Sequence, residues 1–210
     1  MQYALLAIIW ICWCTLHSAL ISLSVTERLR KRYPGGFRCY RILYNLASVL
    51  TLLPVLFYSY SLRGEPIIAW QGPWRIVPIL LAVAALFFLV AGAQRYDLRQ
   101  FLGLRQLADE KACSVLTDDC TLDTGGVLSV VRHPWYSGGI LVVWARPLDR
   151  AAIVTNLVIS GYFVVGAVLE ERKLKLQFGR QYADYQQRVS MLLPINWARG
   201  LLFRKNRPRR

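Results

Sequence analysis

The residues best suited to chemistry in this chain come in two clusters. The stretch VVRHPWYSGG (130–139) puts Arg132, His133, Pro134, Trp135 and Tyr136 directly before an apolar run. Glu170 and Glu171 directly follow another apolar run, ahead of a polar segment that reads RKLKLQFGRQYADYQQRV. Taken singly, each residue has an ordinary reading. Arg132 and Arg172 serve as charged anchors, Pro134 opens a helix, Trp135 and Tyr136 sit at an interface, and the glutamates pair with Arg172 and Lys173. Taken together they describe a ligand clamp, because adjacent carboxylates at the edge of an apolar segment are costly without a role. Gly138 and Gly139 remove side chains where a ligand can approach the backbone.

Two further candidates lie outside the clamp. Arg180 and Asp184 stand four apart on an expected helix, which fits either a surface ion pair or a substrate contact. His17, the other of the two histidines, is expected mid-helix in an apolar segment beside Ser18. A titratable group there is a functional candidate; the alternative is a hydrogen bond to a neighbouring helix.

The elements that must position these residues are apolar and long. The chain is 55% hydrophobic with seven Trp, and its mean hydropathy is +0.34. Crossing a hydrocarbon core takes about 20 helical residues. Residues 3–25, 43–62, 74–93 and 151–169 meet that length, whereas the run 136–144 is short. The first segment lacks a basic leader and a small-residue cleavage site, so it is expected to remain as a membrane helix.

The charge is distributed as a membrane topology. Formal net charge is +14, but the cations fall in blocks beside apolar runs rather than on a continuous basic face, which argues against nucleic acid. With five crossings and the N-terminus outside, 22 of the 26 Lys and Arg fall on inner connections and four on outer ones, Arg63, Arg75, Arg146 and Arg150. The short fourth run and the fifth then form a tight hairpin. The fourth is expected to extend from about residue 135 to Leu148, with the arginines at the tip snorkelling. The hairpin's open ends place Arg132, His133 and Tyr136 across from Glu170 and Glu171 on the cytoplasmic side.

Five Cys with no CxxC pair support neither a zinc site nor a disulfide framework. Cys113 and Cys120 with nearby Asp are a weak metal pattern, and no metal is expected. The stretch 98–128 is too long for a plain turn and reads as a lid. The tail FRKNRPRR reads as a solvated end near anionic lipid. The expected organisation is three N-terminal membrane helices in 1–97, a cytoplasmic loop in 98–128, the hairpin and C-terminal catalytic region in 129–196, and a basic tail in 197–210. The fold expected is an all-α polytopic membrane bundle of about five crossings with a cytoplasmic C-terminal helix.

RHPWYSGG, a helical hairpin, EE, FGRQYADY and a later Pro194 together resemble the integral-membrane S-adenosylmethionine methyltransferases, a superfamily that includes isoprenylcysteine carboxyl methyltransferase and phospholipid methyltransferases. The resemblance covers about residues 125–194. LHSAL and YRILYNLASVLTLLP add a looser likeness to a bacterial branch. That branch contains methanethiol S-methyltransferases and a membrane protein associated with nitric-oxide reduction clusters.

The resemblance implies S-adenosylmethionine as cofactor. Glu170 and Glu171 then suit its hydroxyls or ammonium, Arg132 and His133 its carboxylate, and Tyr136, Trp135 or Tyr182 its adenine. Pro134 and Gly138 complete the implied cofactor set. The family's Arg-plus-acid position, tied to orienting the acceptor, falls on Arg180 and Asp184, although relatives carry Glu where this chain has Asp184. His17 would line the acceptor pocket or help deprotonate a thiol, since the thiolate is the nucleophile. The implied acceptor is a small thiol, ranked just ahead of an isoprenylcysteine carboxylate or a lipid. The implied location is a bacterial inner membrane, with the C-terminus cytoplasmic and lipid as neighbour; nothing fixes the oligomeric state. A competing reading is a non-enzymatic transporter or accessory protein of a nitrogen-oxide reduction system. A membrane reductase of the sterol type would need more helices than this chain has.

Overall fold

The computed structural model describes residues 1–108 and 121–204. Among these the architecture is helical, with only isolated β-bridges. Helices α1 (Gln2–Leu20), α2 (Leu23–Arg32), α3 (Tyr40–Ser61), α4 (Ile76–Ala93), α5 (Leu98–Leu102), α6 (Leu104–Ala108), α7 (Pro134–Trp144), α8 (Arg150–Arg188) and α9 (Ile195–Arg204) follow in chain order. Among the described residues four helical spans are long and apolar enough to cross a membrane: Gln2–Leu20, Phe37–Ser61, Gly72–Ala93 and the apolar part of Arg150–Arg188. Their outer faces are built from exposed Leu, Val and Phe, among them Val49, Leu53 and Phe57 on α3 and Leu80, Val83 and Phe87 on α4. Such a surface is stable facing lipid and unstable facing water.

The first predicted segment is shorter than expected. Ser22 ends it: its hydroxyl donates to the Ala19 carbonyl at 2.7 Å and accepts from the Val25 N–H at 3.4 Å, which starts α2 as a separate helix. His17 therefore lies in the last turn of α1, not mid-helix.

The fourth predicted helix also differs. α7 has 11 residues and ends at Trp144, not Leu148. At about 1.5 Å per residue it rises roughly 16 Å, about half a hydrocarbon core. The chain leaves it because Leu148 exchanges backbone hydrogen bonds with Ile68, at 3.0 and 3.1 Å, pulling 145–149 toward the α3–α4 connection. Asp149 then caps α8, its carboxylate accepting from the Ala152 N–H at 2.7 Å.

α7 packs mainly on α4 and also against α8. Glycine makes the α4 contact close: a Cβ on Gly138 would come within 2.8 Å of Leu89, and one on Gly92 within 2.5 Å of Trp135. α1 lies antiparallel to α3, tied by Trp10 Nε1–Ser59 (3.0 Å) and Trp13 Nε1–Thr51 (3.2 Å), and it also packs on α8.

All these directions agree on two ends. One end gathers the close of α1, the start of α3, the close of α4, the start of α7 and Glu170–Glu171. Here Tyr40 Oη donates to the Leu20 carbonyl and Arg41 and Asn45 donate to the carbonyls of 101–102. The other end joins the α3–α4 connection to the α7–α8 turn, where Trp70 Nε1 donates to the Arg146 carbonyl at 3.0 Å.

Candidate functional site

The site begins with a backbone seam. Arg132 N–H donates to the Ser190 carbonyl at 3.0 Å and His133 N–H to the Met191 carbonyl at 3.1 Å. Ser137 Oγ, one turn into α7, donates to the Leu192 carbonyl at 2.7 Å. This seam lays the RHP elbow along the segment after α8. Residues 126–131 are held from the other side: Val127, Leu128 and Val131 pack with Phe88 of α4. Gly126, at φ +54, lies under the Arg95 guanidinium, which pairs with Asp123 at 3.5 Å.

Above the seam stands the Glu171 carboxylate, which is 8% exposed. Its Oε1 accepts from Arg132 Nε at 2.7 Å and from His133 Nε2 at 3.1 Å, and its Oε2 accepts from Gln186 Nε2 at 2.5 Å. Arg132 Nη1 donates onward to the carbonyls of Gln186 and Val189. Burial alone would raise the Glu171 carboxyl, but donation from His133 and Arg132, Arg132's charge and the Gln186 bond outweigh it and hold the group down at about 2. Glu171 lies beyond the apolar part of α8, in its polar extension.

Glu170 is the more open carboxylate. Tyr136 Oη donates to its Oε2 at 3.0 Å, and His133 Nδ1 stands 3.7 Å from the same oxygen. The rings are ordered as a stack: His133 on Tyr136 at 5.4 Å and 10°, then Tyr136 on Phe163 at 5.3 Å and 25°. The predicted juxtaposition of 132–136 with 170–171 is therefore present in atomic contact.

α8 bends so that it can return to this cluster. Gly179 has φ +53 and ψ −123, a conformation closed to side-chain-bearing residues at ordinary cost, and it divides the helix into arms 150–178 and 180–188. The second arm folds Tyr182, Tyr185 and Gln186 inward. Tyr185 Oη donates to the Leu128 carbonyl at 2.5 Å. Tyr182 is 1% exposed, and its hydroxyl has no hydrogen-bond partner. A buried orphan hydroxyl beside a cluster of carboxylates, imidazole and aromatic rings is the feature that fits an amino-acid-and-nucleoside ligand.

Other predicted residues are placed differently. Gly138 is filled against by Leu89 and Ala85 of α4, so its missing side chain serves helix packing and not ligand approach. Pro134 is buried at the first position of α7, against Gly92. Arg180 and Asp184 are exposed on the second arm of α8, and among the described residues no ion pair joins them; Arg188 donates to the Asp184 carbonyl instead. The predicted lid falls partly on two short helices, α5 and α6, with 109–120 outside the described residues, as are Cys113 and Cys120.

His17 belongs to a second polar cluster at the same end. Ser48 Oγ donates to the Tyr44 carbonyl at 2.7 Å, so it accepts from His17 Nδ1 at 3.0 Å. That leaves Nε2 to accept from Tyr44 Oη at 2.7 Å. The imidazole stacks on Trp13 at 5.0 Å and meets Tyr162 edge-on at 6.3 Å. Tyr162 precedes Phe163 in α8, so aromatic side chains run from His17 to Tyr136.

Sequence reasoning missed Gln186, Tyr185 and the 190–192 seam. The QQ pair at 186–187 was visible, but nothing local says that a bend at Gly179 turns one Gln inward.

A family model described as NnrU protein matches residues 5–201. Methanethiol S-methyltransferase 2 of Bradyrhizobium diazoefficiens is 33% identical over 174 residues, covering 81% of this chain and 66% of that protein. Methanethiol S-methyltransferase 1 of the same organism is 34% identical over 165 residues, covering 77% and 56%. Protein-S-isoprenylcysteine O-methyltransferase B of Arabidopsis thaliana is 39% identical over 80 residues, 35% of this chain and 40% of that protein. The chain thus spans less than two thirds of the length of these bacterial relatives. No solved structure matches it.

Proposed function

This chain belongs to the NnrU protein family, and from that premise we propose that it is a membrane-embedded methyltransferase moving the methyl group of S-adenosylmethionine to a small thiol or other lipophilic acceptor. The observation that carries the reading is the cluster of Arg132, His133, Glu170 and Glu171 beside the unpartnered Tyr182 hydroxyl. The cofactor, when bound, supplies an electrophilic methyl group on a sulfonium.

The chain's own residues divide the work. Both oxygens of Glu171 are occupied by protein donors, so it is a positioning residue that fixes Arg132 and His133. Glu170, half-buried with one hydrogen-bond donor, offers acceptor capacity to hydroxyls or an ammonium. Tyr182 offers its hydroxyl, and the His133–Tyr136–Phe163 stack offers a flat apolar wall for adenine. The rate gain from such a site comes mainly from holding nucleophile and methyl carbon in line with water excluded. A thiol must first lose its proton, and His17 Nε2, reached through the Tyr44 hydroxyl, is the base nearest the aromatic path. Arg180 and Asp184 orient the acceptor from the second arm of α8.

The orientation follows from charge. The end bearing the site also bears most of the Lys and Arg, so it faces the cytoplasm, with the N-terminus outside. Domain roles follow the same division: helices in 1–97 form the membrane wall and 129–196 hold cofactor and chemistry, while residues 205–210 of the basic tail lie outside the described residues.

The test uses purified full chain with methyl-labelled S-adenosylmethionine and either methanethiol or an isoprenylcysteine analogue, beside calorimetry with S-adenosylhomocysteine. Binding that is lost in Glu170→Gln and His133→Ala, with label passing to methanethiol, is the expected result. No binding by the parent, or equal binding by both variants, removes the enzyme reading in favour of a non-enzymatic membrane protein. Transfer confined to the isoprenylcysteine analogue would remove the thiol acceptor alone. Arg180→Ala and Asp184→Ala are expected to raise the acceptor KM about ten-fold while leaving S-adenosylhomocysteine affinity unchanged.

A further inference from the structure

The end of the bundle opposite the candidate site holds a cavity of about 500 Å³. It lies among α1, α3 and the start of α8, lined by Trp10, Phe57, Arg63, Arg146, Asp149 and Thr155. Three observations point to an occupant.

First, cations converge there. Among the described residues four Lys and Arg lie at this end, Arg63, Arg75, Arg146 and Arg150, and two of them, Arg63 and Arg146, line this one cavity. The single carboxylate among the lining residues does not neutralise them. Asp149 spends one oxygen on the Ala152 N–H at 2.7 Å, and the other on the Gly64 N–H at 3.3 Å. Arg146 is held by neutral oxygens, the Asn156 side chain at 3.0 Å and the Val143 carbonyl at 3.2 Å. Arg63 lies over the Tyr60 ring at 4.7 Å. Among the described residues neither guanidinium has an ion pair, and the lining carries a net charge of +1.

Second, Thr155 is 5% exposed, lines the cavity, and its hydroxyl has no hydrogen-bond partner. Helical threonines ordinarily return that hydroxyl to a carbonyl one turn back. A buried polar group left open in this way needs a ligand to complete it.

Third, the lining turns apolar toward the outside of the bundle. Leu56 is 45% exposed and Phe57 is 75% exposed on the face that meets lipid. A ligand seated here has its polar part against Arg63, Arg146 and Thr155 and an apolar part along α3.

We propose that this cavity binds an anionic phospholipid, its phosphodiester held by Arg63 and Arg146 and completed by the Thr155 hydroxyl, with an acyl chain on Leu56 and Phe57. A phosphodiester carries the single negative charge that the lining lacks, and guanidinium forks match its paired oxygens. The proposal does not depend on the methyltransferase reading, because no residue of the candidate site takes part.

The test is native mass spectrometry and thermal unfolding of the purified full chain, titrated with phosphatidylglycerol, with phosphatidylcholine and with inorganic phosphate. Phosphatidylglycerol should stay bound and raise Tm more than phosphatidylcholine at equal mole fraction. Arg63→Gln, at an exposed position, should leave Tm without lipid unchanged and weaken its retention by roughly ten-fold. Thr155→Val keeps the shape of the side chain and should weaken retention a few-fold. Equal retention of the two lipids overturns the proposal, as does parental retention in both variants. An equal rise in Tm with inorganic phosphate alone also overturns it, since the site would then take a free anion.

Discussion

Glu171 is the residue on which the candidate site turns. Its carboxylate joins Arg132 and His133 before α7 to Gln186 in the second arm of α8, so three chain segments meet at one side chain. Removing one partner of a buried pair leaves the other charge uncompensated. Glu171→Ala is therefore expected to destabilise the protein by about 3–5 kcal/mol, read as a fall in Tm in detergent, and to abolish S-adenosylhomocysteine binding. Tyr182 makes the opposite prediction. Its hydroxyl satisfies nothing within the protein, so Tyr182→Phe should leave Tm unchanged or slightly raised. It should weaken S-adenosylhomocysteine binding by roughly five- to ten-fold in calorimetry, the value of one hydrogen bond. The sequence made Arg132, His133, Glu170 and Glu171 conspicuous because charge beside apolar runs is expensive. It could not separate the two glutamates, since which of two neighbours on a helix faces inward depends on the helix's rotation against its partners.

At the scale of the element, Gly179 and α7 carry the design. Without the bend at Gly179 the second arm of α8 would continue away from the cluster, taking Tyr182 and Gln186 with it. No atom stands within 4 Å of where a Cβ would lie, so the constraint is the backbone conformation and not space. Gly179→Ala should then cost about 1–3 kcal/mol in Tm measurements and should weaken S-adenosylhomocysteine binding although residue 179 touches none of the clamp. The sequence supports a helix through 151–169 and another carrying Arg180 and Asp184 but gives no reason for a bend between them, because FGR reads equally as a helix interior. α7 was misjudged in the same way. Its apolar run allowed an extension to Leu148, and the backbone bonds between Leu148 and Ile68, which are 80 residues apart, prevent it.

At the scale of the whole molecule, charge and acid response are the accessible observables. The Glu171 carboxyl is depressed from 4.5 to about 2, so its contribution to stability is complete above pH 4.5 and lost as pH falls toward 2. Acid unfolding of the parent should show a component across that window that is absent in Glu171→Gln. Orientation can be read from Cys39, which is exposed at the end bearing the site. In a variant keeping Cys39 as its one cysteine, an impermeant thiol reagent should label inside-out vesicles and leave right-side-out vesicles unlabelled; the reverse result would invert the topology. What the sequence by itself determined is the all-α membrane class, the grouping of Lys and Arg into blocks, and the meeting of 132–136 with 170–171. Those follow from apolar run lengths and charge placement, which are properties of the chain taken in order. Only the tertiary structure decided the bend at Gly179, the seam to 190–192, the inward Gln186 and Tyr182, and the cationic cavity at the far end. The bend is a backbone conformation at one residue, and the others depend on how one helix is rotated against another; no local pattern of residue types encodes either.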